Sequence, residues 1–279
     1  MLNLPVNPIY SGLCPSCGRE ADAYSIINYG ICRKCLRQNT SYKLGLIEYN
    51  RSIENEIIEF EEYFRRATGG YSLWGSQRIW LKRLFKGENT SIIAPTGIGK
   101  TTLLITFSLY MSSRYRKKVL ILAPTSSLAK QIYHRLSSMA KSTGYKGKIL
   151  FYDSSSRKSQ RDETIDRIRR DDYDILVITN AFLSRHPALF EKKFFDVVIA
   201  DDVDSILNRS KNIVRLLNML GYDQETIMLA RELTDLRSRL LVLKANGLED
   251  KYNEALKKYL DIEAKLREAK AKNRHGQII

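Results

Sequence analysis

The segment Ser91-Ile-Ile-Ala-Pro-Thr-Gly-Ile-Gly-Lys-Thr-Thr102 decides the fold of this chain. It begins with a short apolar run, Ser91–Ala94, of the kind expected for a buried strand, and a helix is predicted to start near Lys100. Gly97 and Gly99 let the backbone curl, so that successive N–H groups and the helix N-terminus point at one anion. A strand, a glycine-rich loop and a helix in this order predict a phosphate-binding loop.

The residue types of this loop suit a nucleoside triphosphate with its magnesium ion. Lys100 is expected to reach the β- and γ-phosphates as a catalytic cation, and the Thr101 hydroxyl is expected to ligate Mg²⁺. The general pattern opens with glycine, whereas this loop opens with Ala94, and a chance glycine-rich turn is the alternative interpretation. The residues assigned to ATP are Thr96, Gly97, Ile98, Gly99, Lys100, Thr101 and Thr102.

A second segment, Phe195-Asp-Val-Val-Ile-Ala-Asp-Asp-Val-Asp204, ends a hydrophobic run in acidic residues. Val197–Ala200 is typical of a parallel strand that is covered on both faces. Asp201 follows at its carboxyl end, where open α/β sheets place their ligands. We assign Asp201 to Mg²⁺, and Asp202 to orienting the attacking water as a catalytic base. An ordinary acidic loop after a strand is the alternative.

Further apolar runs alternate with helical segments, which predicts an α/β fold with a parallel, doubly wound sheet. Two strands lead into helix starts that carry polar side chains, at Thr125 or Ser126 and at Thr179 and Asn180. These residues suit either a helix cap or a contact to a nucleic-acid phosphate. The strand candidates are Ser91–Ala94, Val119–Ala123, Lys148–Phe151, Ile175–Thr179 and Val197–Ala200.

The chain has four cysteines, all among its first forty residues, in the pattern C-x₂-C-x₁₄-C-x₂-C. Two tight turns that each carry a pair of thiolates predict a tetrahedral, structural Zn²⁺ site without an open position. A pair of disulfides is the alternative, although no signal peptide precedes this region. Ala23 to Tyr29 is expected to form a hairpin strand between the two pairs. The expected zinc ligands are Cys14, Cys17, Cys32 and Cys35.

Composition favours a polyanionic partner. The chain has 279 residues and a formal net charge of +15, which counterion release would turn into affinity for DNA. The charge-rich surface of a heat-adapted protein is the competing explanation. No apolar run approaches the length of a membrane span, and Met1-Leu-Asn-Leu-Pro5 is no secretory signal, so we expect a soluble, cytoplasmic protein without a membrane partner.

Helical periodicity flanks the predicted sheet on both sides. Ile53, Ile57, Phe60 and Phe64 recur at helical spacing before a glycine break, and two leucine-rich stripes joined at Asn246-Gly247 predict an antiparallel helical hairpin. A final Gly-Gln-Ile-Ile279 is expected to return to the sheet. We therefore expect a zinc module at 1–40, a linker helix at 41–70, an ATP-binding lobe at 71–212 and a helical insertion at 213–279.

Taken together, these motifs resemble the amino-terminal part of the reverse gyrases. The four-cysteine module, the phosphate loop, Asp-Asp-Val-Asp followed by Ser205, and a helical insertion before a Gly-Gln-Ile-Ile strand carry the resemblance, which covers essentially the whole chain. It implies a RecA-like first lobe of a helicase-like module, in a hyperthermophile enzyme that couples ATP turnover to positive supercoiling by a type IA topoisomerase module. Helicases of this class place a glutamine that reads adenine where Gln77 stands, although an exposed glutamine near a helix start is usually just solvated.

The resemblance also shows where this sequence departs from the complete enzyme. Many helicases have glutamate where this chain has Asp202, which is one methylene shorter and weakens its assignment as the base. The sequence contains no Ser-Ala-Thr motif, no arginine finger of a second lobe and no topoisomerase module, so we expect ATP and DNA binding with little hydrolysis. Two other classes stay open, namely a self-sufficient helicase-like ATPase of DNA or RNA that dimerises, and a non-enzymatic zinc- and DNA-binding module.

Overall fold

The computed structural model describes residues 7–12, 14, 17–37, 41–95, 97–201, 210–272 and 274–279, with only the backbone for 41–48, 50, 210 and 211. Two compact units divide the chain. The first unit comprises Met1–Arg65 and Gly70–Glu88, and the second unit comprises Arg66–Gly69 and Asn89–Ile279. Each unit has its own architecture, and the phosphate loop belongs to the second.

The first unit combines a small hairpin with helices. Its two strands pair antiparallel, with Ile9 opposite Asp22 and Tyr10 opposite Ala21. The hairpin leads into two short helices around the cysteines, and these are followed by a long helix and a shorter one. The elements are β1 (Ile9–Tyr10), β2 (Ala21–Asp22), α1 (Ala23–Tyr29), α2 (Arg33–Arg37), α3 (Ser41–Thr68) and α4 (Gly75–Phe85).

The prediction of a strand over Ala23 to Tyr29 is wrong, because this segment forms helix α1. Asp22 caps its start by accepting a hydrogen bond from the Ser25 N–H, and Gly30 ends it in the left-handed conformation at φ 72°. A side-chain cap and a glycine at the end stabilise even a short helix. Local capping therefore outweighed the strand tendency of this sequence.

Helix α3 shows the predicted amphipathic pattern. Ile57 and Phe60 are fully buried, and the ring of Phe60 lies 5.8 Å from that of Phe85, so that α3 packs against the end of α4. Glu61, also buried, forms an ion pair with Arg78 of α4. The helix ends at Thr68, before two glycines with positive φ, as the glycine break predicts.

The second unit is built on a five-stranded sheet whose strand order is β4-β5-β3-β6-β7. Every neighbouring pair is parallel; for example, Val119 lies opposite Ile175 on one side and Val197 on the other. The strands are β3 (Val119–Ala123), β4 (Ile149–Phe151), β5 (Ile175–Thr179), β6 (Val197–Ala200) and β7 (Gln277–Ile278). The helices are α5 (Lys100–Tyr115), α6 (Ser126–Thr143), α7 (Lys158–Arg169), α8 (Asn180–Arg185), α9 (Ser210–Met219), α10 (Gln224–Ala245) and α11 (Glu249–Lys272).

Both faces of the central strands are buried. Leu120, Leu176 and Val198 lie in one core cluster with residues of α7, α8 and α9. Because successive side chains of a strand point to opposite faces, Ile121 and Ile199 face the other way, and they border a cavity together with α5 and α6. This arrangement is the α/β fold with a parallel sheet that the sequence predicts.

The strand predicted at Ser91–Ala94 is absent, because this segment has no regular structure. Its start lies beside β7, where the Thr90 N–H donates to the Ile278 carbonyl at 3.0 Å. Strand β7 has only two residues, so it offers no ladder to the rest of the segment. A strand requires hydrogen bonds along its length, and none joins Ser91 through Ile93 to another described residue.

The predicted helical hairpin is present as α10 and α11, joined by Gly247 at φ 67°. The chain then returns to the sheet at β7, as expected. Gly276 makes this return possible, because a Cβ atom there would lie 2.2 Å from the Phe195 carbonyl oxygen. No helix in the described part of the chain is both long and apolar enough to cross a membrane.

Candidate nucleotide site and metal centre

The phosphate loop is shaped by two glycines in the left-handed region. Gly97 has φ 87°, and Gly99 has φ 81° and caps the start of α5. The first hydrogen bond of the helix runs from the Leu103 N–H to the Gly99 carbonyl at 2.9 Å. The N–H groups in the first turn of α5 therefore have no intrahelical acceptor and suit an anion. Thr96 lies outside the described residues.

The Lys100 ammonium is held by the loop itself. Its Nζ donates to the Ala94 carbonyl and, at 3.1 Å, to the Pro95 carbonyl. Both acceptors lie on the chain that leads into the loop. Phosphate oxygens carry more negative charge than carbonyl oxygens and form stronger hydrogen bonds with an ammonium, so a phosphate group would compete favourably for Lys100.

Asp201 stands at the carboxyl end of β6, and its N–H donates to the Leu122 carbonyl of β3 at 3.0 Å. Lys100, Thr101 and Asp201 all border one cavity of about 850 Å³, although they come from distant parts of the sequence. An ammonium, a hydroxyl and a carboxylate are the groups expected for a triphosphate with Mg²⁺. Asp202, to which we assign the catalytic base, lies outside the described residues.

Most of the remaining wall of the cavity is apolar. It includes Ile121 and Ile199 from the sheet, Leu104 from α5 and Ile132 from α6. Apolar side chains give no hydrogen bonds to phosphate, so the polar side chains of this cavity must supply them. Besides Lys100, Thr101 and Asp201, the lining includes Asn89, Thr90 and Ser91.

Two other strand ends carry helix caps. Thr125 accepts from the Leu128 N–H at 3.3 Å at the start of α6, and it is exposed. Thr179 accepts from the Phe182 N–H at 3.2 Å at the start of α8, where Thr179 and Asn180 are both buried. Capping explains Thr179, whereas the first turn of α6 is open to solvent and its contact to a nucleic-acid phosphate stays a prediction.

The start of α6 also carries charged neighbours. Hydrogen bonds from Ser155 hold the pKa of Asp153 below its usual range. Lys130 of α6 approaches the same carboxylate at 3.8 Å. An ionised Asp153 therefore offsets part of the positive charge near this helix end, while Arg157 and Lys158 nearby stay exposed.

Gln77, which we predict to read adenine, belongs to the first unit. It is 3% exposed, and its Oε1 atom accepts a hydrogen bond from the Trp74 N–H at 3.0 Å, which caps α4. The alternative of a merely solvated glutamine is wrong, because the side chain is buried. Its carbonyl oxygen has a structural task, and the contact to adenine stays a prediction.

The four cysteines converge on one point. Their Sγ atoms all lie within 4.8 Å of one another, with 4.0 Å between Cys14 and Cys35 and 3.7 Å between Cys17 and Cys32. A tetrahedron of thiolates about 2.3 Å from zinc has edges of about 3.8 Å. All four cysteines are free thiols, so the disulfide alternative is wrong for this structure, and the donor set fits Zn²⁺.

The carboxylate of Asp22 connects the segments that surround this cluster. Burial disfavours the ionised form of Asp22, yet hydrogen bonds from Ser25 and Asn7 outweigh it and bring its pKa to about 2. Arg33, next to Cys32, forms an ion pair with Asp22 at 3.3 Å. The charged Asp22 therefore ties α1 to the turn that carries the second cysteine pair.

Sequence reasoning missed one contact beside the phosphate loop. Arg135 of α6 donates through Nη2 to the Thr102 Oγ1 at 2.7 Å. No spacing rule connects these two residues, which are brought together only when α5 and α6 pack side by side. Thr102 directly follows Thr101, so Arg135 reaches the edge of the candidate nucleotide site.

Comparison with known proteins agrees with this geometry. The family model described as "DEAD/DEAH box helicase" matches residues 75–230, which is more than half of the chain. The chain belongs to the DEAD/DEAH box helicase family. Membership in this family supports an ATP-binding helicase-like module, and it implies ATP and Mg²⁺.

Reverse gyrases are similar to this chain over nearly its whole length, as its motifs predict. Reverse gyrase 2 of Aeropyrum pernix is 33% identical over 98% of this chain and 23% of the relative. The reverse gyrase of Pyrobaculum aerophilum is 34% identical over 93% of this chain and 22% of the relative. The resemblance is thus confirmed, and the chain spans less than a quarter of these relatives' length.

Among solved structures, a hypothetical ATP-dependent RNA helicase from Sulfolobus tokodaii is similar at 22% sequence identity, with a TM-score of 0.45. The similarity covers 58% of this chain and 46% of that chain.

Proposed function

We propose that this chain is an ATP- and DNA-binding part of a reverse gyrase, in which the phosphate loop and Asp201 bind ATP with Mg²⁺. The observation that supports this most is the shared cavity, because Lys100, Thr101 and Asp201 all line it. A phosphate-binding cation and two oxygen ligands for a hard metal ion rarely meet by chance at the carboxyl ends of parallel strands.

Each residue has a distinct task in this proposal. Lys100 exchanges its two carbonyl acceptors for phosphate oxygens, while the N–H groups of the loop and of the first turn of α5 surround the phosphates. Thr101 and Asp201 hold Mg²⁺, which neutralises charge on the phosphate oxygens when bound. Asp202 orients the attacking water, and Gln77 contacts adenine.

The cysteine cluster takes a structural role. Cys14, Cys17, Cys32 and Cys35 hold Zn²⁺ as four thiolates, which leaves no open position for catalysis. Exposed basic side chains around the cluster, Arg19 and Lys34, are available for DNA. The net charge of +15 supports a polyanionic partner for the chain as a whole.

In the complete enzyme, we propose that this module drives positive supercoiling together with a second helicase lobe and a type IA topoisomerase module. The second lobe completes the ATP site, because helicase-class hydrolysis uses an arginine supplied across the cleft between two lobes. This chain alone therefore binds ATP and DNA and turns ATP over slowly.

Steady-state ATP hydrolysis by this chain tests the proposal, with and without single-stranded DNA and across a range of protein concentrations. We expect turnover close to that of the Lys100→Ala control at every concentration. DNA-stimulated turnover that rises with protein concentration would instead identify a self-sufficient ATPase that dimerises. Unchanged DNA affinity in Lys100→Ala, together with no effect of ATP on that affinity, would indicate a non-enzymatic DNA-binding module.

A further inference from the structure

Arg135 occupies a position that nucleotide binding alone does not explain. It lies on α6, and its guanidinium donates to the hydroxyl of Thr102 in the first turn of α5 at 2.7 Å. Lys100 and Thr101, the residues proposed for phosphate and Mg²⁺, directly precede Thr102 in the same turn. Arg135 is therefore attached to the part of α5 that faces the nucleotide.

Two further contacts join the same pair of helices. Thr106 approaches the Met139 sulfur at 3.7 Å, and Ser112 shares a hydrogen bond of 2.7 Å with Tyr145, just beyond α6. Both pairs have the same sequence separation as Arg135 and Thr102, so α5 and α6 run side by side in the same direction. The two distal contacts hold the helices together without Arg135, whose contact is the nearest to the loop.

Within the described part of the chain, Arg135 has the Thr102 hydroxyl as its partner and no carboxylate. The side chain is exposed, and a guanidinium has several N–H donors of which one is used here. Lys130, on the same helix, pairs instead with Asp153. A single hydrogen bond from an exposed arginine to a neutral hydroxyl adds little folding stability, so stability alone does not account for this contact.

We propose that Arg135 is a positioning residue that couples nucleotide binding at the phosphate loop to DNA binding at the start of α6. This inference rests on the proposed function. The exposed first turn of α6, capped by Thr125, is the expected contact for a DNA phosphate. DNA that fixes α6 also fixes the Arg135–Thr102 contact, and this orders the turn of α5 that receives the nucleotide. The coupling acts equally in both directions.

Titration of a fluorescent ATP analogue with Mg²⁺, in the absence and presence of a saturating single-stranded oligodeoxynucleotide, tests this inference. The ratio of the two dissociation constants is the coupling factor. We expect Arg135→Gln to lower it by about two- to tenfold, the range for loss of a hydrogen bond. Each ligand measured alone should bind within about twofold of the wild-type affinity, because no first contact to either ligand is removed.

Three further variants make the test specific. Arg135→Lys keeps the charge and one possible donor, so it should restore part of the coupling. Thr102→Val should lower the coupling as much as Arg135→Gln, and the double variant should lower it no further, because both remove the same contact. Lys141→Gln removes a charge from an exposed side chain of the same helix and should leave the coupling factor unchanged.

The outcomes separate this inference from the proposed function. If Lys100→Ala binds nucleotide as the wild type does, the proposed function fails. If the wild type binds both ligands but Arg135→Gln keeps the full coupling factor, or if the wild type shows no coupling, the role of Arg135 is overturned. It is also overturned if Arg135→Gln weakens nucleotide binding equally with and without DNA, since that is the result of a local structural role.

Discussion

The cysteine cluster and the phosphate loop are two candidate binding sites that differ in how their donor groups are arranged. The four Sγ atoms already lie within 4.8 Å of one another, at distances that suit a tetrahedral ion. In the phosphate loop, the Lys100 ammonium is still bound to the carbonyls of Ala94 and Pro95. The four thiols are thus arranged as zinc would require, whereas Lys100 would have to leave two internal hydrogen bonds to bind a phosphate.

The difference follows from how each site is assembled. Two turns and the short helices α1 and α2 bring the cysteines together within a stretch of 22 residues, from Cys14 to Cys35. The candidate nucleotide site joins Lys100 with Asp201, and the chain that leads into its loop is hydrogen-bonded to β7 at Asn89 and Thr90. Contacts between residues that are close in sequence arrange the four cysteines. The positions of Lys100 and Asp201 depend instead on how the whole second unit packs.

Loss of the metal should produce the largest effect. Binding of structural zinc contributes about 10–16 kcal/mol in small zinc modules. We expect Cys32→Ser, or removal of zinc by a chelator, to unfold the segment of residues 7–37 and expose it to proteolysis. Elemental analysis should find a single zinc ion per wild-type chain and much less in the variant. Unchanged protease resistance without metal would contradict a structural zinc site.

The next largest effect should come from substitution of Gly276, which lies where the chain returns to the sheet of the second unit. A Cβ atom there would lie 2.2 Å from the Phe195 carbonyl oxygen and 2.8 Å from Leu220. We expect Gly276→Ala to lower the free energy of unfolding of the second unit by about 1–3 kcal/mol, the range for overpacking. Gly247→Ala is a contrasting control, because nothing lies within 4 Å of its added Cβ and only its φ of 67° is unfavourable. Denaturant unfolding compares the two, and equal losses would contradict the close approach of Gly276 to Phe195.

Asp201→Asn tests the metal half of the nucleotide site. An amide oxygen is a weaker ligand for Mg²⁺ than a carboxylate, because the negative charge is lost. We expect the increase of ATP affinity on adding Mg²⁺ to shrink by about tenfold, with little change in affinity for ATP measured without the metal. The matched control is Asp162→Asn, because Asp162 is exposed on α7. Asp196→Asn is unsuitable, because Asp196 forms ion pairs with Lys117 and Arg274. An Asp201 variant with a normal Mg²⁺ effect would remove this residue from the metal site.

The smallest effect should come from the cap of α1. Asp22→Ala removes the acceptor of the Ser25 N–H and the ion-pair partner of Arg33. We expect a loss of about 1 kcal/mol in the stability of the zinc-bound module. Asp22→Asn keeps a capping oxygen and should lose less, because asparagine caps helices about as well as aspartate. Thermal unfolding with zinc in excess measures both, and identical losses would assign the effect to charge alone.

The sequence predicted much of the sheet and of the helical hairpin, because these rest on long, regular apolar patterns. β3, β5 and β6 are continuous apolar runs, and α10 and α11 repeat their apolar residues at helical spacing. Ala23 to Tyr29 was mispredicted as a strand, since a cap at Asp22 and a glycine at its end decided the structure of so short a segment. Apolar periodicity predicts the structure of long segments, in which many residues follow the same pattern. It fails for a short segment whose structure depends on a single capping hydrogen bond.

Pairing between distant segments could not be predicted either. Ser91–Ala94 has the composition of a strand, but the strand beside its start is β7, which lies nearly the full length of the second unit away in sequence. The contact of Arg135 with Thr102 depends in the same way on the register between α5 and α6. The residue types of the phosphate loop predicted its chemistry, and packing alone determines which neighbours surround it.

Calorimetric binding of ATP with Mg²⁺ to the wild type and to Lys100→Ala tests the central claim most directly. Lys100 is the group that must leave its loop carbonyls for the phosphates, so we expect saturable binding by the wild type and at least about tenfold weaker binding by the variant, which corresponds to loss of one charge-assisted hydrogen bond. Equal affinities in the two proteins would contradict the assignment of this loop as the nucleotide site.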